Sequence, residues 1–213
     1  MTVITLLTDF GIRDGYPGVM KGVIWSIAPQ AQIADLSHEI APQNVLEAAL
    51  LLGRSYYYFP DESIHVTVVV PGVGTPRRAI AANIGSHYFI APDNGLLTIV
   101  IEQAESNNLP ARFINLNKPA YWLPSVSNTI HGRDIFASVA AYLALGTRFR
   151  SLGTLIDDPI RLEIPRPQST QKGWIGQVIS IDHFRNLSTN LHFSLEGEQR
   201  NAIVRIKNKS ISG

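Results

Sequence analysis

The first seventy residues alternate between two periodicities, and few folds accept that order. VITLLT (3–8) is an apolar run that stops at Asp9-Phe10-Gly11, as a strand does when it enters a loop. GYPGVMKGVIWSIAP then places Val19, Val23, Ile24 and Ile27 on one helical face and is closed by Pro29. QIADLS reads as a second strand, and NVLEAALLLGRSYYYF as a second helix with Asn44 in position to cap it. SIHVTVVV is a third strand. Strand–helix–strand–helix–strand predicts an α/β fold: a mostly parallel sheet sandwiched by helices. RAIAANI and HYFIAP follow as a hairpin-like pair, then the loop DNGLLT. GRDIFASVAAYLALG is a third helix, closed by Gly146.

From Leu152 to Lys172 the periodicity lapses. DDPIRLEIPRPQSTQK carries three prolines and reads as a linker. Beyond it, WIGQVISID, LSTNLHFSL and NAIVRIK have the look of strands. The expected organisation is therefore an N-terminal α/β domain over 1–151, a linker over 152–172 and a short β unit over 173–213. About 40 residues bury too little surface to fold alone. Such a unit must pack on the first domain, on a neighbouring subunit, or be the front of a longer domain.

Composition removes several classes of function. The chain of 213 residues has a net charge of +1, which argues against the basic footprint of a nucleic-acid binder. It has no cysteine, hence no disulfide framework or thiolate metal site. No apolar run approaches a membrane span, and MTVITLLTDF turns acidic too early for a signal peptide. The expectation is a soluble, cytoplasmic protein.

In open α/β sheets ligands bind at the carboxyl ends of the strands. TDFGIRDG, PGVGTPRR and APDNG all fall there. Asp9 and Asp14 can hold ribose hydroxyls or an ammonium group, or they can cap the loop's own N–H groups. PGVGT lacks the spacing of a known phosphate loop. Arg77 and Arg78 are adjacent, so one can serve a site while the other is solvated. His131, in HGRD, can act as an acid or base or be structural, whereas Arg133 and Asp134 fit capping and packing. Asp182 and Asn186, in IDHFRN, suit turn chemistry or recognition of a purine edge. Asp35, His38 and Glu39 do not recur with ligand spacing, so DLSHE reads as a solvated loop rather than a metal site.

Taken together, TDFGxxDGYPGVMKGVI, IxDLSHEIxPQNVxEAA, FPxxxIHVxVVxPGVGTxRRxIA, APDNGLLT and HGRDIFAxVAAxLAxG resemble the adenosine-forming S-adenosyl-L-methionine hydrolases, or hydroxide adenosyltransferases, kin to fluorinase and chlorinase. The resemblance runs in order along nearly the whole chain. It implies a homotrimer of two-domain subunits, with S-adenosylmethionine bound between the first domain of one subunit and the second domain of the next. It implies attack of water at ribose C5′ with loss of methionine, and no metal or cofactor. Position by position, it implies that Asp9 holds the ribose hydroxyls and that Asp14 lies near the methionine moiety. Asp182 would bind the amino-acid end and Asn186 the adenine, with Arg77 and His131 handling the water.

Three features depart from the family pattern. The resemblance places a carboxylate where this chain has Val70, so hydrolysis is expected to be severely reduced. Family members continue past the position of Gly213, which implies a shortened C-terminal unit here. Arg185 stands where the family has glycine, and it is strained if that position needs a positive φ. These departures leave a second expectation open, a non-catalytic nucleoside-binding or assembly protein derived from the family.

Overall fold

A computed structural model describes residues 2–71, 78–127, 129–191, 203–206 and 209–212. The chain divides into two compact units, Met1–Glu163 and Ile164–Gly213.

The first unit is a seven-stranded mixed sheet between two layers of helix. Its elements run β1 (Val3–Thr8), α1 (Tyr16–Ile27), β2 (Gln32–Ser37), α2 (Val45–Gly53), β3 (Ile64–Val68), β4 (Ala79–Ile84), β5 (His87–Pro92), α3 (Thr98–Ser106), β6 (Ala111–Asn115), a π-helical segment (Gly132–Ala137), α4 (Ser138–Ala144) and β7 (Thr154–Ile156). The strand order is β2-β1-β3-β5-β4-β6-β7. The β2-β1-β3-β5 core is parallel, and β4, β6 and β7 extend it antiparallel. From β1 the chain crosses to β2 on one side and then to β3 on the other. The carboxyl end of β1 therefore lies at a topological switch point, where such sheets hold ligands.

Alternation along the buried strands feeds two cores. Ile4, Leu6, Val66 and Val68 pack with Met20 and Ile24 of α1 and Val139 of α4. Leu7, Val69 and Phe89 pack on the opposite face with Leu52 of α2 and Val100 of α3. Each fully buried large side chain stabilises the fold by about 1.5–3 kcal/mol. Helix α1 buries Pro17, Met20 and Ile24, whereas Val19, expected on the inner face, is 47% exposed. Asn44 does cap α2, its side chain accepting from the Glu47 N–H. That helix stops at Gly53, where an added Cβ would lie 2.4 Å from Ile99 of α3. The tyrosines expected to continue it form a short 3₁₀ turn, Tyr56–Tyr58, instead.

Several elements, among them β6, α3, β7 and the strand Gln168–Thr170, differ from the sequence expectation. Helix α3 begins straight after DNGL without a side-chain cap. The stretch read as a linker contributes β7, which pairs with β6. Gly153 introduces that strand because its backbone passes against another: a Cβ there would meet the Asn115 carbonyl oxygen at 1.8 Å.

At the far end of the sheet from the β1 carboxyl terminus, His65 is fully buried. Its Nδ1 lies 2.8 Å from Thr5 Oγ1 and its Nε2 3.2 Å from His87 Nδ1. Burial, reinforced by the neighbouring His87, holds the His65 pKa down to about 3; burial also lowers that of His87. In the unfolded chain a histidine takes up its proton near pH 6.5. The neutral pair therefore supports folding fully above about pH 6.5, and this support is lost as the pH falls toward 3. A denaturation midpoint followed from pH 7 to 4 is expected to fall, and His65→Phe to flatten the fall.

Among its described residues the second unit holds three antiparallel pairs: β8 (Gln168–Thr170) with β9 (Gly173–Ile175), β10 (Val178–Ile181) with β11 (Leu187–Thr189), and β12 (Ile203–Ile206) with β13 (Lys209–Ser212). Buried Asn190 staples it, accepting from the Gln177 N–H at 2.9 Å and donating to the Pro165 carbonyl at 2.9 Å.

Candidate active site

A cavity of about 730 Å³ opens at the carboxyl ends of the parallel strands in the first unit. Asp9 and Phe10 enter it just past the end of β1, Val68 and Val70 from the end of β3 and just past it, His131 from the residue before the π-helical segment, and Gly132, Ile135 and Phe136 from within that segment. Its wall is largely apolar, with Trp122, Pro92 and Leu116 among the lining residues. Polar groups such as Asp9, Asn117 and His131 interrupt it, which suits a ligand with a flat apolar body and several hydroxyls. A π-helical turn widens the backbone spiral and recurs at functional sites. Here it follows His131 directly. Gly132 packs so closely that a Cβ would come within 3.0 Å of the Phe10 ring.

Asp9 is held at the rim. Its Oδ2 accepts the Gln43 N–H at 2.8 Å, and Gln43 adopts a left-handed φ of 65°. A non-glycine residue in that region carries strain that the surroundings must offset. Gln43 was not singled out in the sequence, since nothing in PQN marks a left-handed residue. Asp14 is exposed on the loop before α1 and is not among the residues lining the cavity. Arg77 lies outside the described residues.

Arg78 is not solvated but fixed. Its guanidinium grips Asp93 Oδ2 from Nε at 2.8 Å and Asp158 Oδ1 from a terminal nitrogen at 2.8 Å. Those bonds raise its pKa, the Asp158 bond most, and lower that of Asp158. Asp93 is 2% exposed, and its other oxygen accepts the Ile160 N–H at 2.8 Å. Asn94 donates to the Val69 carbonyl at 2.8 Å. Gly95, at φ 89°, has no room for a side chain: a Cβ there would lie 2.8 Å from the Leu162 backbone nitrogen. In APDNG, which the sequence places with the ligand-facing loops, Pro92 lines the cavity while Asp93, Asn94 and Gly95 form a latch. It fixes the end of β3 just before Val70.

The Asp134 carboxylate is buried. It accepts the Ser127 N–H at 2.7 Å and is paired with Arg133. This pins the loop that carries Trp122 and Thr129, in keeping with a packing role. His38 corrects the reading of DLSHE as a solvated loop. Asp35 and Glu39 are exposed, but His38 is buried, with Nδ1 2.9 Å from Thr8 Oγ1. Among the described residues no group of His, Asp or Glu side chains has the arrangement of a metal site.

In the second unit Asp182 and Asn186 are bonded to each other. Asp182 accepts the Asn186 backbone N–H and its side-chain amide, each at 2.7 Å. Between them Arg185 sits at φ 69°, the left-handed conformation suspected from the sequence.

The description "SAM hydroxide adenosyltransferase N-terminal domain" matches residues 4–153, the unit that builds the cavity. The chain belongs to this family. It is 37% identical over 186 residues to an (R)-S-adenosyl-L-methionine hydrolase of Salinispora arenicola, covering 86% of this chain and 70% of that one. Identity to the enzyme of the same name from Thermus thermophilus is 37% over 199 residues, covering 90% and 75%. A fluorinase of Actinoplanes sp. is 31% identical over 219 residues, covering 89% and 72%. In structure the chain is similar to an uncharacterized conserved protein of Thermotoga maritima. The TM-score is 0.89 at 36% identity, over 98% of this chain and 81% of that one. In this SAM hydroxide adenosyltransferase family member, Val70 lines the same cavity as Asp9 and His131.

Proposed function

We propose that the chain hydrolyses S-adenosyl-L-methionine to adenosine and methionine. Water attacks ribose C5′, and the C5′–O bond forms as the C5′–S bond breaks. The sulfonium takes the bonding pair and leaves as a neutral thioether, and the attacking water loses one proton. A sulfonium is already a good leaving group, so the protein need only align the water and reduce its hydration. No metal or cofactor is called for. The observation that carries this reading is the convergence of Asp9 and His131 on one apolar cavity of nucleoside size at the switch point of the sheet, in a chain over a third identical to named hydrolases.

In this reading Asp9 holds the ribose hydroxyls, and Arg77 and His131 orient the water. Asp14 meets the methionine moiety, Asp182 the amino-acid end and Asn186 the adenine. The protein works in the cytoplasm as a homotrimer, each substrate lying between the first unit of one subunit and the second unit of the next. Support for a covering neighbour comes from the second unit itself, where Trp174, Ile181 and Phe184 are 56%, 63% and 82% exposed. No helix among the described residues is long and apolar enough to cross a membrane.

Val70 and the strained Arg185 favour a second reading, a nucleoside-binding protein that no longer turns over. Calorimetry with adenosine and with S-adenosylmethionine, run beside an assay for free adenosine, separates the two. Binding with product supports the hydrolase; binding without product supports the second reading. In either case Asp9→Asn is expected to weaken adenosine binding by about tenfold, the loss of a charge-assisted hydrogen bond. Absence of binding by the unaltered protein overturns both readings.

A further inference from the structure

The loop that carries Asp9 is gripped from behind by a buried polar chain. Thr8, fully buried at the end of β1, accepts the Phe10 N–H on its hydroxyl oxygen at 3.3 Å and meets His38 Nδ1 at 2.9 Å. The His38 carbonyl accepts the Gly11 N–H at 2.7 Å. On its other side, His38 Nε2 lies 3.1 Å from Asp35 Oδ1, an electrostatic approach without full hydrogen-bond alignment. Lys21 of α1 holds the second oxygen of Asp35. One arrangement of protons fits these contacts. His38 Nε2–H points toward Asp35, Nδ1 accepts from the Thr8 hydroxyl, and the Thr8 oxygen accepts from Phe10.

A buried hydroxyl or imidazole left unpaired costs about 1–3 kcal/mol, whereas an apolar pair of the same shape costs little. A polar chain here therefore does more than fill space, because it fixes direction. Two of its bonds end on the backbone N–H groups of Phe10 and Gly11, which bracket the turn immediately after Asp9. Gln43 holds one oxygen of Asp9 from the opposite side.

We infer that His38 is a positioning residue for Asp9, acting through Thr8 and through its own carbonyl to aim the remaining carboxylate oxygen at the ligand. The inference rests on the reading that Asp9 binds the nucleoside. DLSHE thereby acquires a role that its residue types and spacing alone did not indicate.

Adenosine titrations by calorimetry test it, with thermal unfolding as a check on folding. Thr8→Val keeps the shape but removes the hydroxyl, and it is expected to weaken adenosine binding about tenfold. Thr8→Ser restores the hydroxyl and is expected to bind within threefold of the unaltered protein. His38→Leu breaks the same chain at the next link. It should lose as much as Thr8→Val, and the double variant no more than either alone. If turnover is measured, the loss falls on KM rather than kcat. Tight binding by Thr8→Val, no rescue by serine, or losses that simply add would overturn the inference. If the unaltered protein does not bind adenosine, the reading of the cavity fails, and this inference fails with it.

Discussion

Replacing Val70 with aspartate is expected to raise the rate of adenosine release by a factor on the order of 10²–10⁴, the usual contribution of a positioned acid or base. Val70 is half-buried, packs at the margin of the first core and lines the cavity with Asp9 and His131. Its side chain can neither accept a hydrogen bond nor take a proton, so the attacking water lacks an acceptor there. The backbone at this point is already held, because Asn94 fixes the carbonyl of Val69. An introduced carboxylate would therefore enter a prepared position rather than a loose loop. The gain should appear in kcat with KM nearly unchanged, as for an interaction made in the transition state. An unchanged rate would show that Val70 is not what limits hydrolysis.

The second large effect is on stability. Asp93→Ala is expected to destabilise the fold by about 1–3 kcal/mol, the cost of removing a buried charged acceptor that serves two donors. That is a large share of the 5–15 kcal/mol by which a domain is usually stable. The carboxylate serves Arg78 and the Ile160 N–H together, and Arg78 would be left facing the cavity with only exposed Asp158. Urea denaturation should show a lower midpoint with an unchanged slope. Asp158→Ala, which removes the exposed partner, should move the midpoint little. Equal effects from the two substitutions would contradict the latch.

The parallel core was legible because β1 and β3, buried on both faces, read as apolar runs of strand length, whereas α1 and α2 bury one face and show helical spacing. Helix α3 escaped because Leu97, which precedes it, offers no capping side chain and DNG before it announces only a turn. Strand β7, only three residues long, lay hidden just before the proline-rich stretch, its pairing set by β6 some forty residues earlier. The π-helical segment has the same apolar spacing as the α-helix that continues it, so periodicity cannot separate them. For the site, Asp9, Val70 and His131 were readable as ends of elements, and the cavity brings them together. The polar network beneath was not readable. Thr8–His38 and Arg78–Asp158 join residues 30 and 80 positions apart, and no local pattern encodes such a partner. Arg185 was the reverse case: a single substitution in a turn pointed to a backbone angle that the structure then displayed.

The most direct test of the central claim is to identify which carbon of the sulfonium is attacked. Purified protein at stoichiometric concentration would be incubated with S-adenosylmethionine in ¹⁸O-labelled water, and the products separated and weighed by mass spectrometry. Attack at C5′ predicts adenosine and methionine in equal amounts, with the label in the adenosine. Methylthioadenosine, S-adenosylhomocysteine, or no product from a protein that binds the substrate would contradict it.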